Sequence, residues 1–381
     1  MKTNIIFYID PQSSGNLSAY DYGVLSKVNS TVCYICSRYY DYKEMSPNIH
    51  PYPIFKYNHI KNPVFKLFSY LCSMLRLLFL LIKQRPCIVH VQWLRVPHFD
   101  YAFYRLVRRF LHPVLILTAH NLLPHNTGNR YKNIYYKVYH LFDHIIVHAQ
   151  TTQDEICNRF HINIQKTSVI HHGTLKMVAD QEKLKREEHI FKQKYLTEGV
   201  LVFTSLGEQS RYKGIDLLVE IWNETPALHD NQHLRLILAG KNNGIDYSPI
   251  KHFSNVIIIN KRISNEEYLY LLHLTDVFLL PYRTISQSGA LFTAMEEGIP
   301  ILVSDAGGLS EPLDIANIGW KVRAGDKESL RQMLIHLVSH PHETRRMKNN
   351  KQCWEAVCAK YSWNTISIQT QNLYHKLTKS L

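Results

Sequence analysis

Carboxylates are scarce in one part of this chain. Residues 51–150 hold 13 Lys and Arg against 2 Asp and Glu, so this stretch carries +11 of the +13 net charge of the 381 residues. The imbalance points to an anionic surface, whether membrane, nucleic acid or phosphorylated substrate, or to a solvated basic face with no partner. Other absences narrow the field. There is no tandem repeat or low-complexity tract. The start, MKTNIIFYIDPQSSG, lacks a long apolar core and a small-residue cleavage site, so it is expected to be a first strand and not a signal peptide. The seven cysteines are scattered and odd in number, as in a reduced cytoplasmic protein. Cys33 and Cys36 form a lone CxxC inside an expected strand, which reads as two buried strand cysteines rather than a redox or metal pair. No G-x-S-x-G elbow and no Walker A loop occur. None of the 22 histidines stands in an HExxH spacing, and no catalytic metal is expected. The aromatics near the basic stretch lie on predicted helices, not on a stacking sheet, which argues against nucleic acid.

What is present is an alternation of strands and helices along the whole chain. That pattern predicts an α/β fold of two doubly wound, Rossmann-like domains facing across a cleft, with ligands at the carboxyl ends of parallel sheets. The expected organisation is an N-terminal domain over 1–175, a charged, strand-poor linker over 176–199 and a C-terminal domain over 200–360. A helix over 361–381 is expected to pack back on the first domain. Val64–Lys83 has two readings of equal weight. Its Lys66, Ser69, Ser73, Arg76 and Lys83 fall near one stripe, with apolar residues on the rest. It is either a basic amphipathic helix lying in a membrane interface or a buried core helix. Its charges argue against a span.

The most informative stretch is PYRTISQSGALFTAMEEGIPILVSDAGGLSE at 281–311. It reads as strand, polar loop, helix opening at Ser288-Gly289, strand, then a second small-residue loop. Helix amino termini at such sheet ends hold diphosphates, and Glu311 is placed for a ribose diol. Upstream, Gly207 ends a strand, and Arg211-Tyr212-Lys213-Gly214 precedes a helix, a cationic pair suited to a diphosphate. In the first half, Ser13-Ser14-Gly15-Asn16 joins the first strand to the first helix, either as a cap or as a contact to donor or acceptor. His120 and Asn121 follow a strand and are expected to face the cleft, with His125 close behind. His148, His171 and His172 also sit at strand ends.

Taken in order, these segments resemble the GT-B glycosyltransferases of family four, the retaining nucleotide-sugar enzymes of bacterial polysaccharide and glycolipid synthesis. The resemblance covers nearly the whole chain. It rests on the YKG turn, LILAGK at 236–241, LPYR at 280–283, SQSGA, GIP and SDAGGLSE, with HVQWL at 90–94, TAHNLLPH at 118–125 and IHHG at 170–173. It implies that His120, Lys213 and Arg211 carry the catalysis. The donor would be bound by Gly15, Gly207, Arg211, Lys213, Tyr282, Arg283, Gln287, Ser288, Gly289 and Glu311, and the acceptor by Asn16, Asn121 and His125. No cofactor is implied beyond the nucleoside-diphosphate sugar itself. The implied acceptor is a glycan or a polyprenyl-diphosphate-linked glycan, and the implied location is cytoplasmic, peripheral on the inner membrane face. Two departures stand out. The two glutamates that many members carry eight residues apart are Ile285 and Thr293 here, and the usual arginine position holds Ser210, with Arg211 one residue later. The alternatives are a degenerate GT-B protein acting as a membrane-associated assembly partner, and a nucleotide-sugar epimerase.

Overall fold

A computed structural model describes residues 3–41, 45–124 and 129–379. Its elements run β1 (Thr3–Asp10), α1 (Asn16–Leu25), β2 (Thr31–Ser37), β3 (Ile49–Phe55), α2 (Pro63–Gln84), β4 (Pro86–Val91), α3 (Pro97–Leu111), β5 (Val114–Thr118), α4 (Lys132–Leu141), β6 (His144–Val147), α5 (Gln150–Phe160) and β7 (Thr167–Val169). They continue with α6 (Gln181–Tyr195), β8 (Leu201–Leu206), β9 (Gln209–Ser210), α7 (Ile215–Glu224), α8 (Pro226–His229), β10 (Leu234–Ala239), β11 (Asn242–Asn243), β12 (Val256–Ile259) and α9 (Asn265–His273). The last are β13 (Val277–Leu280), α10 (Gly289–Glu296), β14 (Ile301–Ser304), β15 (Gly319–Val322), α11 (Lys327–Ser339), α12 (Pro341–Lys348), α13 (Lys351–Lys360) and α14 (Trp363–Lys379).

The chain divides into two units, one of Met1–Gly173 with Tyr361–Leu381 and one of Thr174–Lys360. The first is built on a seven-stranded sheet in the order β3-β2-β1-β4-β5-β6-β7, parallel throughout. Both faces are covered, as a parallel sheet requires. Phe7, Ile9, Val89 and Leu117 pack on one side, while Ile6, Tyr8, Ile88 and Ile116 pack on the other. Cys33 and Cys36, three apart on β2, fall on these opposite faces and are both buried. The second unit carries a six-stranded parallel sheet, β12-β10-β8-β13-β14-β15, and a small parallel pair, β9 with β11. Each unit is therefore a Rossmann-like α/β domain.

Two features differ from the expectations. The stretch expected as a linker holds α6, capped by Asp180 through the amides of Glu182 and Lys183. That helix packs on α9 of the second unit through Phe191 against Tyr270, with ring centroids 5.5 Å apart, and through Lys183 and Glu266 at 3.5 Å. β3 and β15 had no counterpart in the sequence reading, and both are sheet edges. β3 carries Pro51 and Pro53, which a central strand would not tolerate but an edge can. The C-terminal helix α14, expected against the first domain, lies in the first unit: Ser367 Oγ accepts the Lys27 N–H at 2.8 Å, and Gln371 Oε1 accepts the Asn29 N–H at 2.8 Å.

Candidate functional site

In each unit the strand order reverses beside the first strand, between β1 and β4 and between β8 and β13. Loops leaving the carboxyl ends of such strands diverge and leave a crevice. The sequence-predicted residues fall on these loops.

In the second unit, β8 ends at Leu206 and the chain turns at Gly207, with φ of +93°. A short turn, Arg211–Lys213, leads to Gly214 at φ +73°, which opens α7. A Cβ at Gly214 would lie 2.1 Å from the carbonyl oxygen of Pro281, so glycine alone lets this turn close on the loop after β13. Two further contacts hold the loops together. The Arg283 N–H donates to the Tyr212 carbonyl at 2.8 Å, and the Arg283 guanidinium pairs with Asp216 of α7 at 2.9 Å. Arg283, expected on the donor, thus also braces the two loops through Asp216. The Lys213 ammonium lies 5.6 Å from the centre of the Tyr282 ring, and burial pulls its pKa below the usual lysine range. Tyr282 is buried, and Ser288 Oγ donates to its hydroxyl at 3.4 Å. Ser288 therefore does not cap α10 with its side chain. The first amides of that helix keep their hydrogen-bonding capacity and partial positive charge. Gly289 starts the helix, Gln287 precedes it, and Arg211 is exposed on the neighbouring turn. The second loop is pressed against the first: a Cβ at Gly307 would meet the Ile285 carbonyl oxygen at 1.9 Å. Glu311 follows at the head of a short turn, Glu311–Asp314. One partly desolvated cation and one uncapped helix start, joined through Tyr282, suit a diphosphate. Thr293, at one absent glutamate position, is buried and turns its hydroxyl back to the Gly289 carbonyl at 3.1 Å.

In the first unit a cavity of about 320 Å³ is lined by Gln12 after β1, by Gln92, Trp93 and Arg95 after β4, and by His120 and Asn121 after β5. Gly15, at φ +55°, precedes α1 and donates its N–H to Asp41; Asn16 is the first residue of the helix. His125 lies outside the described residues. Beneath the β1 loop, Asp10 accepts the Gln12 N–H at 2.7 Å, and burial raises its pKa to about 6.

The histidines of this unit are held neutral by burial. His90 and His148 are pulled down to about 3 and His172 to about 4, and His120 is also lowered. His148 Nδ1–H donates to the Ile170 carbonyl at 2.7 Å, and its Nε2 lies 3.2 Å from His120 Nδ1 and 3.4 Å from the Tyr20 hydroxyl. His120 Nε2 lies 3.1 Å from Gln92 Oε1, and Gln92 Nε2 lies 2.9 Å from His90 Nε2. His90 Nδ1 lies 2.6 Å from the Tyr374 hydroxyl. Tyr374, His90, Gln92, His120 and His148 thus form one hydrogen-bonded row that ends on the Ile170 carbonyl. Trp93 stacks on His120 with centroids 4.4 Å apart and planes 5° from parallel. His120, expected to meet the transferred sugar directly, lines this cavity and has both ring nitrogens within hydrogen-bond distance of Gln92 and His148.

Gln92, Trp93, Tyr374 and Asp216 had no role in the sequence reading. Gln92 and Trp93 were legible, since HVQWL leaves a buried strand, but Tyr374 and Asp216 needed tertiary structure. Away from these loops, His336, His340 and Glu343 cluster at the α11–α12 corner, with His336 Nε2 3.1 Å from Glu343.

Residues 198–340 match the family model described as "Glycosyl transferases group 1", and residues 25–174 match "Glycosyltransferase Family 4". An uncharacterised glycosyltransferase of Methanocaldococcus jannaschii is 23% identical over 242 residues, covering 60% of this chain and 59% of that protein. An MMP α-(1→4)-mannosyltransferase of Mycolicibacterium hassiacum is 28% identical over 124 residues, 32% of this chain and 30% of that protein. The chain therefore spans less than two thirds of the curated relatives it matches. Among solved structures, the sucrose-phosphate synthase of Thermosynechococcus elongatus superposes with a TM-score of 0.71 at 18% identity, covering 99% of each chain. Anabaena HepE in complex with UDP gives 0.67 at 12% identity, covering 99% of this chain and 100% of that one. At these identities the likeness is one of fold. With a glycosyltransferase model matched in each half and this fold throughout, the chain belongs to the GT-B glycosyltransferases.

Proposed function

We propose that the protein transfers a sugar from a nucleoside-diphosphate sugar to a glycan or polyprenyl-diphosphate-linked acceptor, with retention of anomeric configuration, in cell-surface polysaccharide synthesis. The observation that carries this reading is the pairing of Lys213 with the uncapped start of α10 through Tyr282. HepE, solved with UDP and with UDP-glucose, supports a nucleotide sugar as the donor class. In this scheme the bond from the anomeric carbon to the leaving diphosphate breaks as the bond to the acceptor oxygen forms. The acceptor proton passes to the departing phosphate, so no protein nucleophile is required. Lys213 and the α10 amides stabilise the charge that develops on the phosphate. Arg211 and Glu311 assist at the diphosphate and the ribose. Asn121, Asn16 and His125 serve the acceptor.

The test is a thermal-shift series with UDP, GDP, ADP and TDP and their common sugar conjugates. A rise in Tm with one base family is expected, since a ligand bound only by the folded form stabilises it. No rise with any of them would overturn the reading. The absent carboxylates at Ile285 and Thr293 favour one competitor, a protein that binds donor without turnover. Release of free sugar or product from a bound donor excludes it, and an inverted product excludes retention.

A further inference from the structure

The sequence left α2 undecided between core helix and membrane-facing helix. Its burial separates the two faces. Tyr70, Ser73, Met74, Leu77 and Leu81 are buried. At about 100° per residue, Val64, Phe68, Leu75, Phe79 and Ile82 fall within about 60° of one another on nearly the opposite side. These five are between 52% and 71% exposed. The polar stripe is divided: Ser73 points inward, donating to the carbonyls of Ile54 and Ser69 at 2.9 Å, while Arg76 and Lys83 are exposed. What faces solvent is an apolar row about 27 Å long, bordered by exposed Arg76 and Lys83. α3, which packs beside α2, presents exposed Arg105, Leu106, Arg109 and Phe110.

The charge on this face has no internal counterpart. The two carboxylates within residues 51–150 are Asp100 and Asp143. Asp100 is buried, where it accepts the Tyr70 hydroxyl at 2.7 Å and the amides of Arg95 and Val96 at 2.7 and 2.8 Å. Asp143 is paired with Arg108 at 2.8 Å. Both are spent inside the fold, so the exposed row is apolar with a purely basic border. By length and composition α2 passes as a membrane span, but its Tyr70–Asp100 bond and buried stripe tie it along the first unit, so it lies flat on the surface.

We propose that the α2–α3 face docks on an anionic lipid bilayer. The apolar row enters the interface, and Arg76, Lys83, Arg105 and Arg109 meet the headgroups. A second copy fits poorly, because a two-fold contact through this face would set cations against cations. A nucleic acid offers the charge and bases to stack on the phenylalanines, but nothing for the exposed aliphatic Val64, Leu75 and Ile82. The inference stands apart from the transferase reading, since vesicle binding requires no turnover.

The test is co-sedimentation of the full chain with vesicles of phosphatidylcholine, alone or with about one third phosphatidylglycerol, alongside light scattering without lipid. Binding to the phosphatidylglycerol vesicles is expected, weakening as salt rises. Each lost cation costs about fivefold in affinity, so Arg105→Ala/Arg109→Ala should bind about 25-fold more weakly. Phe68→Ser/Phe79→Ser should abolish binding while melting at the wild-type temperature. No binding to anionic vesicles, equal binding to neutral ones, or binding unaffected by both variants overturns the proposal. So does a dimer in solution that the phenylalanine variant converts to monomer without any vesicle binding.

Discussion

Lys213 is a charge held where the unliganded protein gains little from it. Its ammonium is largely removed from water, its near neighbour is the Tyr282 ring, and burial lowers its pKa. Such a group costs stability in the free protein and repays it only when an anion arrives. Lys213→Met should therefore melt at the wild-type temperature or above it, while turnover drops by about 10² to 10³, the usual effect of removing one preorganised donor. A variant that transfers sugar at the normal rate, or that unfolds, would contradict this assignment. His120 shows the limit of reading residues singly. Its place at the end of β5 was legible, but its engagement by both Gln92 and His148 was not, because those partners come from separate strands.

Among the elements, the central strands were legible because each is a short apolar run buried on both faces, as in VFLL of β13 and ILVS of β14. The elements that were missed depend on context. β3 and β15 are edges with weak strand composition, and α6 is a charged helix whose only fully buried residues are Leu184 and Phe191. The loops proposed to bind the diphosphate stood out in the sequence as a set, whereas the pairing of Arg283 with Asp216 did not, because it joins the loop after β13 to the start of α7. The seat of α14 also needed the fold. A Cβ at Gly23 would lie 2.2 Å from the Trp363 ring, and one at Gly173 would lie 2.3 Å from it. Two glycines far apart in sequence thus form a slot for one indole, which also meets Tyr20 edge-on at 5.6 Å. Gly23→Ala should destabilise the first unit by about 1–3 kcal/mol through overpacking. Combined with Trp363→Leu, the two changes should be non-additive in thermal melts, since they act on one contact. Strict additivity would show that the slot is not what holds the helix.

Across the whole molecule, buried ionisable groups set the response to acid. His90 and His148 near 3, with His144 and His172 near 4, lie below the unfolded histidine value of about 6.5. The stability that depends on their neutrality is complete above pH 6.5 and is lost as pH falls toward 4, because the unfolded chain takes up protons the folded one refuses. Asp10 and Asp100, raised by burial to about 6, work in the opposite sense between about pH 4 and 6. Asp21, also raised, joins them. The histidines, with His120 among them, outnumber the carboxylates, so the protein should melt at a lower temperature at pH 5 than at pH 7. An equal or higher Tm at pH 5 in calorimetry would reverse that balance. The path of the chain bears on how the protein is made. The first unit needs Ser367, Gln371 and Tyr374 to satisfy Lys27, Asn29 and His90, and those partners follow the entire second unit in sequence. A ribosome adding about 5–20 residues per second takes roughly 10–40 s to cross the intervening stretch. For that time the nascent first half waits with an open seat, and the half made later is the first that can finish folding.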